Sequence, residues 1–260
     1  MTKVSVIMSE FKTEENILRE SILSILNQSY RDFEFIIVND GNSDLLRRIV
    51  DEISDERIVI IENKENLGLA KSLNKAIDTA KGEYLVRMDT DDIALKNRIE
   101  ILVEFLDENP KYSVVGSSIN ILTEKGKRIP RVNSGEIDIQ KFLNRHVPVH
   151  PSVIMKKIDI ETIGKYQTEN VRRCEDLVLW AELLRNGKKI YVLPEILLDY
   201  RVTVEDYNKR GFKTRKDEIS NRFKYARIFG ANFNQYLLIG KSIIASVLPH
   251  QVIAWYQRKG

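Results

Sequence analysis

The chain of 260 residues is 43% hydrophobic and 30% charged, with one cysteine and a formal net charge of +3. These values exclude a disordered, fibrous or disulfide-stapled protein and leave one large globular domain, or one domain with an appendage. Cys174 has no internal partner and fits a reducing compartment, and the first residues enter a strand pattern without the apolar core of a secretory signal, so the cytosol is the expected location.

Val4-Ser5-Val6-Ile7-Met8 reads as a buried strand, and Ile17, Leu18, Ile22, Ile25 and Leu26 give an apolar face to a helix from about Glu14 to Asn27, with Thr13 as its expected cap. A second strand, Phe35 to Val38, runs into the turn cluster Asn39-Asp40-Gly41-Asn42-Ser43-Asp44, which also caps a helix from about Leu45 to Ile53. Ile58 to Ile61 is a third strand, a helix follows from about Leu69 to Ala80, Gly82 ends it, and Tyr84-Leu85-Val86-Arg87-Met88 is a fourth strand. This βαβαβαβ order predicts a Rossmann-like, mostly parallel sheet with helices on both faces. Further on, Ser113 to Ile121 is strand-like, with a turn at Lys125-Gly126, and Val153-Ile154-Met155 is a short apolar run. Glu175 to Asn186 reads as a helix stopped by Gly187, and Ile190 to Leu193 and Leu197 to Val202 as two strands separated at Pro194. From about Glu205 the pattern is helical, basic and aromatic, with Arg222, Tyr225, Phe229 and Phe233 along one helical edge.

The densest chemical signal is Asp89-Thr90-Asp91-Asp92, directly after the fourth strand. The carboxyl ends of strands are where open α/β sheets bind ligands. Three carboxylates held together there repel one another, and a hard divalent cation such as Mg²⁺ relieves that repulsion while keeping sites for water and phosphate. A solvated acidic turn capping the next helix is the competing reading. Asp40 follows its own strand in the same way and stands on the same rim, where it either binds a base or ribose or satisfies its own turn. After the first strand stands Ser9-Glu10-Phe11-Lys12 rather than a Gly-rich phosphate loop, which disfavours a dinucleotide oxidoreductase.

Taken in order and spacing, Val4 to Ser9, Ile22 to Tyr30, Asp40 to Asp44, Asn66 to Ala70, Met88 to Asp92, His150-Pro151-Ser152, Glu175-Asp176 and Tyr200-Arg201 resemble the family 2 glycosyltransferases of the A fold. The resemblance implies an inverting transferase that uses a UDP-sugar and Mn²⁺ or Mg²⁺. It assigns Asp40 to the nucleotide base with Ser9 and Phe11 around it, places Asn66 among the nucleotide-sugar contacts, and gives Asp89 to the ribose or metal and Asp91 to the metal. Asp92 orients Asp91 or the donor sugar, or caps the next helix. Asp176 is the implied base, with Glu175 beside it, and the dipole of a helix starting there is expected to keep Asp176 ionised. His150, biased toward extended backbone by Pro151, is assigned to the diphosphate or acceptor, or to structure alone. Arg201 pairs with diphosphate or with a neighbouring carboxylate. Asn39 and Ser9 depart from the acid and proline common in the family at those positions.

A catalytic domain is thus expected over residues 1–204 and a basic helical region over 205–260. From 207 onward eleven Lys/Arg stand against Asp217 and Glu218, a local +9 that leaves −6 for residues 1–206. That region lacks the ~20 continuous apolar residues of a membrane span. Its expected roles are contact with an anionic inner-membrane surface through basic residues, Trp255 and Tyr256, packing on the catalytic domain, or pairing in a homodimer. No recognition-helix motif supports nucleic-acid binding. The Asp-x-Asp-Asp form resembles enterobacterial O-antigen glucosyltransferases. It implies UDP-glucose first and UDP-galactose second as donor, and a lipid-diphosphate-linked saccharide of bacterial O-antigen or capsule assembly as acceptor, at the cytoplasmic face of the inner membrane. The rival classes are a sugar nucleotidyltransferase, which normally needs a triphosphate loop absent here, and a non-catalytic nucleotide-sugar or lipid-binding module.

Overall fold

The computed structural model describes residues 2–203 and 212–247. In chain order the elements are β1 (Val4–Glu10), α1 (Glu15–Leu26), β2 (Phe33–Asp40), α2 (Asp44–Ile53), β3 (Ile58–Asn63), α3 (Leu69–Thr79), β4 (Tyr84–Arg87), β5 (Ile93–Ala94), α4 (Arg98–Glu108) and β6 (Tyr112–Thr123). They continue with β7 (Arg128–Arg131), β8 (Gly135–Ile137), α5 (Ile139–Leu143), β9 (Ile154–Lys156), α6 (Lys157–Thr162), α7 (Glu175–Arg185), β10 (Lys189–Val202), α8 (Phe212–Ile228) and α9 (Phe233–Val247).

One sheet runs in the order β3-β2-β1-β4-β9-β6-β10-β5, with β7 added to β6 and β8 to β10. Strands β1 to β4 are mutually parallel where they pair, as are β6 and β10, while β9 is antiparallel to both β4 and β6. An antiparallel strand between them means that β4 and β6 run the same way. Val86 and Val115 both face Ile154 across β9, so Asp89 and Ser118, each three residues further along, emerge at the same level on one rim.

Successive residues of the central strands point to opposite faces, so an unbroken apolar run fills two cores at once. Val6, Met8 and Val86 join Leu18, Ile22 and Leu102 on one face; Ile7, Leu85 and Val114 join Leu73, Ile77 and Trp180 on the other. The result is the expected α/β architecture. Gly116 allows the 146–152 segment to cross β6 closely, since a Cβ there would stand 2.8 Å from Pro148 Cβ.

The structure corrects several local expectations. Glu14, not Thr13, is the N-cap of α1 and makes no side-chain cap bond; the Thr13 hydroxyl instead donates to Thr90 Oγ1 at 2.7 Å. The turn cluster does not cap α2 through a side chain, because Asn39 brackets Ser43, accepting from its N–H at 2.7 Å and donating to its carbonyl at 3.0 Å. The two strands around Pro194 are one, β10, which keeps its pairing with β6 by register shifts between Leu193 and Leu198; a bulge absorbs the residue that cannot donate. His150 opens a short 3₁₀ turn, His150–Ser152, rather than extended backbone.

The 204/205 boundary, Trp255 and Tyr256 lie outside the described residues. Tyr225 and Phe233 fall on different helices, with Gly230 between them at φ +67°, so the aromatic edge drawn through them does not exist as one face. Tyr225 is buried and donates to Glu182 Oε1 at 2.7 Å, and Asn221 donates to Asn170 O at 2.8 Å, so α8 packs on the catalytic body. Among the described residues no helix is long and apolar enough to cross a membrane.

Candidate active site

The short strand β4 ends at Arg87 and delivers Asp89, Asp91 and Asp92 together, each offering a carboxylate oxygen within 4.8 Å of the others. The helix-cap reading fails here: β5 follows the acids, and α4 begins only at Arg98 with Asn97 as its cap. The loop is pinned from several sides. Ser21 Oγ donates to Asp89 O at 2.8 Å, Arg201 Nε to Asp91 O at 2.8 Å, and Arg201 N–H to Asp92 Oδ1 at 2.9 Å. Arg201 also pairs with Glu20 at 2.7 Å, so it holds the acidic loop and a neighbouring carboxylate rather than standing free for a phosphate.

Asp92 is fully buried and its Oδ2 has no partner. Burial first, then the charges of Asp89 and Asp91, push its carboxyl well above the usual range. Leaving such an oxygen unmet costs free energy that a bound cation would recover. Three hard carboxylate donors with an unmet oxygen therefore fit Mg²⁺ or Mn²⁺. Two buried guanidiniums lie under the acids. Arg87 Nη1 stands 2.5 Å from Asp89 Oδ2, an ion pair that is not aligned as a hydrogen bond, and its Nε has no partner. Burial works against the Arg87 charge, yet Asp89 holds its pKa above the ordinary value. Arg98 donates to the carbonyls of Arg87 at 2.7 Å and Pro151 at 2.6 Å; burial pulls its pKa down to about 9, which leaves it cationic at neutral pH.

At the ends of β1 and β2, Asp40 is buried and its carboxylate is fully engaged. Oδ1 accepts from Leu67 N–H at 2.7 Å and Asn63 Nδ2 at 2.9 Å, and Oδ2 from Gly68 N–H at 2.9 Å and Asn66 Nδ2 at 3.3 Å. Asp40 thus shapes the 63–68 loop, and Asn66 is exposed beside it. Gly41 lets the Phe11 ring lie close, since a Cβ there would meet Phe11 Cδ2 at 3.0 Å; Phe11 is 46% exposed above the rim, and Ser9 is half-buried below it. Asp40→Ala would strand two backbone donors and lose roughly 3 kcal/mol, a fall in Tm of about 6–12 °C by thermal unfolding. An unchanged Tm would mean that the loop does not depend on this carboxylate.

Glu175 and Asp176 open α7, where Cys174 is the N-cap and Asp176 Oδ1 accepts from Leu177 N–H at 2.7 Å. Burial outweighs the helix terminus. It raises the Asp176 pKa against the Leu177 bond and the Arg87 charge, and pushes Glu175 up to about 7, helped by Asp176 and Asp89. Arg87 therefore acts on both the acidic loop and this pair. Because adjacent carboxylates titrate as a unit, a reaction that needs this pair ionised should speed up with pH through an inflection near 7 as Glu175 ionises, and Glu175→Gln should remove it and leave an acid limb at lower pH. A pH–rate profile unchanged by that substitution would exclude Glu175 from the pair.

His150 is buried, its Nε2 lies 2.7 Å from Tyr166 Oη, and its ring packs edge-on to Trp180 at 6.0 Å. Burial and then Arg87 hold its pKa well below the ordinary value, so it stays neutral. Arg87, Arg98 and Tyr166 were not singled out from the sequence; an arginine inside an otherwise apolar strand run was the available signal for the first.

Residues 5–164 match the family described as Glycosyl transferase family 2. EpsE of Bacillus subtilis, named as a glycosyltransferase, is 32% identical over 99% of this chain and 94% of its own length. The UDP-Gal:alpha-D-GlcNAc-diphosphoundecaprenol beta-1,3-galactosyltransferase of Escherichia coli is 28% identical over 99% of this chain and 96% of its own. Among solved structures, S. aureus TarS 1–349 in complex with UDP-GlcNAc superposes with a TM-score of 0.66 at 19% identity, covering 96% of this chain and 68% of that one. With the A-type fold, the acidic trio and these matches together, the chain belongs to the family 2 glycosyltransferases.

Proposed function

We propose that the protein is an inverting, metal-dependent hexosyltransferase that moves a sugar from a UDP-sugar to a hydroxyl of a lipid-diphosphate-linked saccharide in bacterial surface-polysaccharide assembly. The observation that carries this reading is the pairing, around Arg87, of an acidic trio suited to a cation with a half-buried Glu-Asp pair whose pKa values are raised. In this reading Asp89 and Asp91 hold the metal, which when bound neutralises charge on the departing diphosphate. Asp176 takes the proton of the acceptor hydroxyl, and Asp40 and Asn66 hold the loop beside the base, with Phe11 exposed over it. UDP-glucose and UDP-galactose are the first donors to test, and the E. coli relative named for UDP-Gal and a diphosphoundecaprenol acceptor supports the second and the acceptor class.

Contact with an anionic membrane surface is supported by exposed Lys216, Lys224 and Arg227 on α8, near exposed Phe223, Ile228 and Phe233. Pairing with a second copy through the same surface is the alternative. UDP at a hundred times its Kd with Mn²⁺ or Mg²⁺ should stabilise the protein by about 2.7 kcal/mol, or roughly 5–10 °C in Tm. Transfer from a panel of UDP-sugars to a synthetic diphosphate-lipid acceptor then identifies the sugar. No stabilisation by UDP with either metal would refute the reading.

A further inference from the structure

We propose that the cleft beside the middle of β6 and the first residues of β10, lined by Arg131, Asn133, Arg145 and His146, is the subsite that anchors a phosphate group of the acceptor. The proposal rests on the lipid-diphosphate reading above and adds to it where the acceptor's anion is held.

The sheet fixes the place. Donor-binding residues occupy the rim over β1, β2 and β4, so the acceptor approaches from the side of β6 and β10. Ser118 emerges level with Asp89, with β9 alone between their strands, which puts the cleft about two strand spacings, ~10 Å, from the acidic loop. One hexose ring with its phosphate spans such a gap. An adjoining cavity leads from the cleft to Leu177, the residue after the base. Arg222 acts electrostatically on both Arg145 and Asp176, and Arg145, Leu177 and Arg222 share the wall of that cavity.

The lining has the chemistry of an oxyanion site. Two arginines and a histidine line it, and no carboxylate does among the described residues, in a chain with 38 acids against 41 Lys/Arg. Ser118 Oγ donates to Asn133 O at 2.9 Å and accepts from Asn133 N–H at 3.0 Å, which ties the segment after β7 to β6 and fixes that wall of the cleft. Arg145 stands at φ +67°, where α5 ends in a Schellman turn, with Arg145 N–H donating to Phe142 O at 2.9 Å and His146 N–H to Lys141 O at 2.8 Å. Glycine is the unstrained residue there, so an arginine is held against local preference. Its Nη2 donates to Leu238 O; burial and then the charge of Arg222 lower its pKa, with Glu218 opposing, and a bound anion would offset that charge repulsion as an added partner. Guanidinium groups suit phosphate by their planar, forked donors.

The test compares wild type with Arg131→Gln and with His146→Gln, both exposed residues whose loss spares the fold. With a diphosphate-linked acceptor, Arg131→Gln should raise the acceptor KM about tenfold, with kcat and the donor KM unmoved; an alkyl glycoside of the same sugar should show no such change. Inorganic phosphate should compete with the diphosphate acceptor in wild type and lose potency in both variants. Equal effects on the two acceptors, or undiminished phosphate inhibition, would overturn the subsite. If no lipid-diphosphate acceptor is used at all, phosphate titrated into the UDP-saturated protein and followed by NMR still reads the cleft. Shifts at residues 117–118 and 131–146 that weaken in Arg131→Gln support the site, and no binding refutes it, while UDP binding reports separately on the donor reading.

Discussion

Asp176→Asn is expected to bind UDP as tightly as wild type and to lose transfer by about 10³-fold or more in kcat, within the range that removal of a general base produces. The substitution isolates the chemistry because the amide keeps Oδ1 and with it the 2.7 Å bond from Leu177 N–H that closes the first turn of α7. It also removes a half-buried carboxylate whose pKa burial raises, so the change adds no charge cost to the fold. The proposed nucleotide contacts lie at the ends of β1 to β4 and do not involve this side chain. Thermal shift with UDP and Mn²⁺ and single-turnover transfer separate the two effects. Near-normal turnover would move the base elsewhere, and Glu175, titrating near 7 beside it, would be the first residue to examine next. Loss of UDP binding together with turnover would instead mean that the variant disturbs the Arg87 network.

The strands were legible because each central strand is buried on both faces and so reads as an unbroken apolar run, with no alternation to misplace. Helix and strand existence followed, as did the delivery of Asp40 and Asp89 to one rim, which parallel pairing requires. What stayed hidden depends on contacts between distant segments. Thr13 sits where a cap is expected, yet its hydroxyl is drawn to Thr90, 77 residues away. Pro194 reads as a strand end, but β6 offers a continuous partner and a bulge costs less than breaking the pairing. Arg201 reads as a phosphate ligand, while the fold spends its guanidinium and backbone N–H on the acidic loop. Arg87 bears on nearly every titration in the site, and its effect is set by burial that no local pattern encodes. The cleft beside β6 is the extreme case, because Ser117, Arg131 and Arg145 come from three separate elements and share no motif.

Asp91→Asn is expected to raise the Tm of the metal-free protein while abolishing its response to metal and UDP. Without a cation the three carboxylates lie within 4.8 Å of one another and repel, and the unmet Asp92 Oδ2 adds to the cost. Arg87 and Arg98 offset part of this from below, but Arg98 spends its hydrogen bonds on backbone carbonyls and Met88 sulfur rather than on the acids. Neutralising Asp91 therefore removes part of that repulsion and leaves the Arg201 tether in place, because Arg201 Nε bonds the Asp91 carbonyl. A gain of roughly 1 kcal/mol, about 2–4 °C, is the scale expected when strain at a functional site is released. The same change removes a hard donor from the proposed cation site, so the 5–10 °C shift expected of wild type with UDP and Mn²⁺ should vanish. Transfer should fall by at least 10³-fold. Calorimetric scans of both proteins, with and without Mn²⁺ and UDP, give the four numbers required. A variant that is less stable without metal and still responds to UDP with Mn²⁺ would place Asp91 in the scaffold and leave Asp89 and Asp92 to hold the cation. If the variant is more stable and unresponsive, this loop carries electrostatic strain that only the bound metal relieves.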